Sequence, residues 1–211
     1  MPRVDDYYTA ADLSRDDLRK RETEQVAKAA GAELVKERTG EMRLDIDFLG
    51  RSCTAAWSDL VFRDRQSGKD LTPQEQVLIL HYLAGAQGNV LTGKWISYQE
   101  IPDGRFYMDA FVRRAKNPLV GTFGSKTELL RDLALSAYGA SPFDHGDVSV
   151  LFHAFPYVPV VFIIWEGDDE FPPDGNILFD ESVSQVLSAE DAAWLAGMAV
   201  YPLIGRAKSG K

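Results

Sequence analysis

Two apolar runs, Val148 to Phe155 and Val158 to Trp165, are separated only by Pro156-Tyr157, and this constrains the fold more than any other feature of the chain. The second run is far shorter than the roughly 20 apolar residues of a membrane-crossing helix. Its Val, Ile and Phe content suits a strand buried on both faces. Two such runs joined by a two-residue turn are antiparallel neighbours. Elsewhere strand-like and helix-like segments come in blocks rather than in strict alternation. That pattern predicts an α+β fold: one domain of 211 residues, with an antiparallel sheet of about five strands packed with several helices. A hydrophobic content of 45% is enough for a sizeable core.

The remaining elements follow from local signals. Ser14 with Asp17 reads as a capping box, and Ala27, Ala29 and Ala30 lead to a helix stop at Gly31. Leu34-Val35 and Leu44-Asp45-Ile46-Asp47-Phe48 flank Thr39-Gly40 as a hairpin, and Leu49-Gly50-Arg51 turns the chain into a third strand from Cys53. Residues 63–69 read as a polar connection. Thr72-Pro73-Gln74-Glu75 is the strongest helix start, with Val77, Leu80, His81 and Ala84 on one side. Residues 91–98 are short and extended. A helix over 107–116 is expected to end at Asn117-Pro118. Another begins at Ser125, boxed by Glu128, and stops at Gly139. After Ile177-Leu178-Phe179 a last helix starts at Ser188, boxed by Asp191, and buries Trp194, Leu195, Met198 and Leu203.

Charge is distributed unevenly. Residues 132–203 contain twelve acids and no Lys or Arg; the preceding residues are balanced, and Arg206, Lys208 and Lys211 bring the net charge to −9. This balance excludes sequence-independent binding to nucleic acid, which needs a basic surface, and disfavours anionic lipid. Cys53 is the only cysteine. An internal disulfide or a cysteine-built zinc or iron–sulfur site is therefore impossible within the chain. Together with a start, Met1-Pro2-Arg3-Val4-Asp5-Asp6, that has no apolar stretch, this leads to the expectation of a cytoplasmic protein.

Two segments carry the candidate chemistry. The first is Trp165-Glu166-Gly167-Asp168-Asp169-Glu170-Phe171-Pro172-Pro173-Asp174, an acidic loop directly after the buried run. Carboxylates of this density suit a hard cation or a cationic ligand. A partial calcium-loop match starts at Glu170 and places Asp174, Gly175, Ile177 and Glu181 at positions five, six, eight and twelve, but Pro172 occupies position three. The plain alternative is a solvated turn built on Pro172-Pro173 and Asp174-Gly175. The second segment is Thr92-Gly93-Lys94-Trp95-Ile96-Ser97-Tyr98 with Gly104-Arg105-Phe106-Tyr107. Its cations and rings suit an anionic or planar ligand. Equally, Lys94 or Arg105 pairs internally with Glu166 or Asp180. His81, His145 and His153 form no short-spaced metal motif, although each is an imidazole available to a metal or tetrapyrrole. Cys53, in an alternating strand, reads as buried and inert.

These segments, together with Leu80-His81-Tyr82-Leu83, Gly146-Asp147-Val148 and Asn176-Ile177-Leu178-Phe179-Asp180, resemble a prokaryotic family known as a domain of unknown function, number 3786. The resemblance spans nearly the whole chain. It implies a domain of about this length, prominent in anaerobes, some relatives of which carry a cysteine-rich iron–sulfur segment that this chain lacks. The expectation is a ligand- or cofactor-binding accessory domain in anaerobic metal or tetrapyrrole metabolism. Its site would lie between the two segments: Trp95, Tyr107 and Trp165 as walls, Lys94 and Arg105 for anionic groups, and Glu166, Asp168 and Asp180 for cationic ones. Two alternatives stand beside it. One is a carboxylate-based or metal-assisted hydrolase using Glu166 and Asp180 as acid and base. The other is an acidic module that recruits a basic or iron–sulfur partner protein.

Overall fold

The structure, a computed structural model, describes residues 4–210. It is α+β with two antiparallel sheets, one of four strands and one of five. Contacts divide the chain into two compact units. Among the described residues, one comprises 4–90 with 155–157 and 185–187, and the other 91–154 with 158–184 and 188–210. Among the described residues no helix is long and apolar enough to cross a membrane.

The first unit begins with α1 (Val4–Leu18) and α2 (Thr23–Ala30). Ser14 does not start a helix. It lies inside α1 and donates its hydroxyl to the Ala10 carbonyl four residues back, because the helix is already under way at Val4. Gly31 ends α2 in the left-handed conformation, as the alanine run implies. The sheet then forms from β1 (Glu33–Lys36), β2 (Met42–Phe48), β3 (Arg51–Ala56) and the short β4 (Arg63–Asp64), in that order. Thus the polar stretch 63–69 starts as a strand, with Arg63 and Asp64 paired to Thr54 and Cys53. Leu49 and Gly50, both at positive φ, make the tight turn between β2 and β3. On β2, Leu44, Ile46 and Phe48 alternate inward. The capping box of Thr72 and Glu75 starts α3 (Pro73–Gly85), along which α1 packs. Tyr82 of α3 stacks on Phe155 at 4.2 Å, Phe48 lies 4.9 Å from the same ring, and the Tyr82 hydroxyl donates to the Ala30 carbonyl.

The second unit holds β5 (Trp95–Ser97), α4 (Gly104–Phe111), α5 (Asn117–Phe123), α6 (Thr127–Tyr138), β6 (Ser141–Pro142), β7 (Val148–Phe155) except its last residue, β8 (Val158–Trp165), β9 (Asp174–Asp180) and α8 (Ala189–Ser209). The brief α7 (Val183–Val186) precedes α8. Strand order is β5-β9-β8-β7-β6, so the two apolar runs form the interior of the sheet. Every residue of β8 except Trp165 is buried. A flat five-stranded sheet would hold its edge strands about 19 Å apart. Here Trp95 on β5 meets Phe143, just beyond β6, with ring centroids 5.3 Å apart, so the sheet is rolled.

The helix expected to stop at Pro118 continues through it. A five-residue π turn, Val112–Lys116, joins α4 to α5, and the Asn117 N–H reaches the Val112 carbonyl. The wider turn restarts the helix, so that Pro118 stands in a first turn, where its missing N–H leaves no bond broken. Likewise α6 begins at Thr127, without a side-chain cap from Ser125. The Ser188 box on α8 is present as read. Leu195 and Leu203 are buried there, while Trp194 and Met198 are half-buried.

Candidate functional site

All eight candidate residues lie in the second unit, and β9 decides which of them meet. Trp165 pairs with Asp174 at one end of this strand, and Trp95 pairs with Asp180 at the other. Seven residues of strand separate those ends by about 20 Å. The two segments therefore do not build one shared pocket from Glu166, Asp168, Lys94 and Asp180. The same strand removes the calcium loop, since its fifth and twelfth positions, Asp174 and Glu181, are held apart by β9.

At the Asp180 end the carboxylate gathers the neighbouring backbone donors. Asp180 is 2% exposed. Its carboxylate accepts from the Thr92 N–H at 3.1 Å, the Thr92 hydroxyl at 3.2 Å, the Gly93 N–H at 2.7 Å and the Ser182 N–H at 3.0 Å. Burial pushes its pKa up, but the donors of Ser182, Thr92 and Gly93 outweigh that and hold it below the ordinary carboxylate range. Lys94 pairs with Glu181 at 2.6 Å, rather than with Asp180 or Glu166. Arg105 is exposed, with no ion-pair partner among the described residues, next to the 85% exposed Phe106. Tyr107 faces Glu190, whose charge raises the phenol pKa. This end of the strand is a structural clasp: Asp180 ties the 92–93 turn to the end of β9.

The acidic loop at the other end is held by its neighbours. Glu166 accepts from the Thr127 hydroxyl at the start of α6, and its N–H donates to Asp147 at 2.7 Å. The Asp168 carboxylate accepts from the N–H groups of Glu170 and Phe171 at 2.8 and 2.7 Å, which keeps its pKa low, with Phe171 the larger influence. Asp174 pairs with Lys116 of the π turn at 3.0 Å. The Trp165 ring meets His145 edge-on, with centroids 6.0 Å apart. The loop is a turn held by Asp168, whereas Asp174-Gly175, read from the sequence as turn residues with Pro172-Pro173, begin β9. It leaves Asp169 and Glu170 without ion-pair partners among the described residues and Phe171 67% exposed. The loop borders an open cavity of about 550 Å³ with Gly124 and Ser125.

The sequence reading omitted the outward-facing Asp169, Glu170 and Phe171 from its site and included Asp168, whose carboxylate is occupied by its own turn. The signal was present: an Asp followed three residues on by Phe-Pro-Pro marks a turn that uses its first carboxylate. Nothing in sequence marked Thr127 or Lys116 as partners of this loop. Among the described residues no three His, Cys, Asp or Glu side chains converge to hold a metal ion. His81 is half-buried, and His145 and His153 are exposed. Cys53 is fully buried, and burial pushes its thiol up to about 12.

In comparisons with known proteins, the sequence model of the family described as Domain of unknown function (DUF3786) matches residues 22–201. No curated protein and no solved structure matches.

Proposed function

This chain belongs to the DUF3786 family, and from that premise we propose that it is a binding domain rather than an enzyme, with the acidic loop 166–173 as the surface that takes a cationic group. One observation carries this reading. The loop uses Glu166 and Asp168 to hold its own shape and presents Asp169, Glu170 and Phe171 beside an open cavity. Carboxylates next to an exposed ring suit a guanidinium or ammonium, which gains both charge pairing and a cation–π contact. Hydrolysis by Glu166 and Asp180 is disfavoured, because groups at opposite ends of β9 do not reach one ligand atom. The cationic group is best supplied by a basic segment of a partner protein, since the cavity is open rather than enclosed. An accessory role in anaerobic metal or tetrapyrrole metabolism, implied by the family resemblance, is compatible with such a partner.

The test uses a fluorescent nonaarginine peptide and anisotropy. Binding is expected to be saturable and to weaken sharply as salt shortens the screening length. Asp169→Asn with Glu170→Gln should lower affinity about tenfold, the effect of roughly 1.4 kcal/mol. The same charge change at the exposed Glu24 and Glu33 should leave binding nearly unchanged. If both double variants bind alike, the peptide senses only net charge and the loop is not the site.

A further inference from the structure

A second cavity, of about 250 Å³, lies within the first unit and is lined by residues from α1, the start of α3 and the segments before it. Ala11, Val61, Leu71 and Pro73 give it apolar walls, and Tyr8, Arg15, Asp70 and Gln76 supply its polar groups. The Arg15 side chain is only 13% exposed. Its Nε donates to the Leu60 carbonyl at 3.2 Å, one terminal nitrogen donates to Asp12 at 2.9 Å, and the other reaches Gln76 Oε1 only at 3.5 Å. A guanidinium has five N–H donors, so two are without a partner among the described residues. Gln76 offers no substitute, because its amide is already bonded to both the N–H and the carbonyl of Phe62. The counter-charge, Asp12, is 73% exposed and therefore largely solvated. At the rim, Asp70 is paired with Arg63 at 2.8 Å.

The fork is also held in place. Leu60 is fully buried at φ 50, a left-handed conformation unusual for a residue with a β-carbon, and its carbonyl accepts the Arg15 Nε.

We infer that this cavity binds a small organic monocarboxylate, with its carboxylate on the free N–H groups of Arg15 and its apolar body against Ala11, Val61, Leu71 and Pro73. A planar fork beside apolar walls is the arrangement that recognises a carboxylate attached to a hydrocarbon. The volume lies below the roughly 300–1,000 Å³ of pockets for drug-sized ligands, which restricts the occupant to a compact acid.

Sodium benzoate is the probe, titrated at millimolar concentration into ¹⁵N-labelled native protein, with benzyl alcohol as the neutral isostere. Saturable shifts are expected at Ala11, Val61 and Leu71 with benzoate, and much weaker ones with the alcohol. Arg15→Lys keeps the charge but loses the fork, and should weaken binding about tenfold. Val61→Phe fills the cavity while keeping the Arg15 guanidinium in the chain and should abolish binding; it decides alone if the lysine variant does not fold. The inference is overturned if native protein shows no saturable shifts, if benzyl alcohol binds as well as benzoate, or if Val61→Phe binds like the native chain.

Discussion

Replacing Asp180 by alanine tests the clasp at the end of β9 most directly. The native carboxylate accepts four hydrogen bonds, three of them from backbone N–H groups. Deleting it leaves the N–H groups of Thr92, Gly93 and Ser182 without their acceptor. A buried donor that loses its partner costs about 1–3 kcal/mol. Thr92 and Gly93 lie in an exposed turn, where water replaces part of the loss, so the expected total is about 3–4 kcal/mol. Asp180→Asn keeps an acceptor oxygen but gives up the charge, and should cost about 1–2 kcal/mol. The assay is urea unfolding followed by tryptophan fluorescence and circular dichroism. Its pH dependence has a definite sign. Because the folded-state pKa of Asp180 is depressed, its contribution is fully present above the unfolded value of about 3.9 and is lost as pH falls through the folded value. The native chain should therefore lose this increment in acid while the Asn variant has none to lose, and the gap between them should shrink below about pH 4. A cost under about 1 kcal/mol for Asp180→Ala, or a gap that is the same at neutral and acidic pH, would refute the reasoning.

Two further outcomes follow from packing. A β-carbon on Gly104 would run into the Tyr98 carbonyl oxygen, next to the left-handed Asp103, so Gly104→Ala should destabilise by about 2–3 kcal/mol in the same unfolding assay. The Cys53 thiol, fully buried and pushed up to about 12, should resist alkylation by iodoacetamide at neutral pH and become reactive only in denaturant; rapid labelling of the folded protein would contradict its burial.

The elements that were legible in the sequence are those specified over a few residues. The boxes at Thr72 and Ser188 place their helices correctly, because the donor and acceptor are three positions apart and need no tertiary partner. Left-handed stops at Gly31 and Gly139, and the hairpin of two apolar runs, are equally local. Ser14 misleads for a related reason. The same hydroxyl that caps a helix can bond back to a carbonyl within one, and the deciding fact lies ten residues upstream. Pro118 misleads because a π turn, packed near Gly197 of α8, changes where the helix restarts.

By itself, then, the sequence determined the α+β class, the buried strand pair, the main helix starts and the acidic character of the final third. Only the tertiary structure decided that the strands sort into two sheets, that Lys94 meets Glu181, and that Asp168 and Asp180 serve opposite ends of one strand. The physical reason is reach. Asp180 lies twelve positions after Asp168 in the chain; coiled in a loop they could share one ligand, but with β9 extended at about 3.3 Å per residue they cannot. Strand pairing and register arise from contacts between distant segments, and no short-range pattern of charges encodes them.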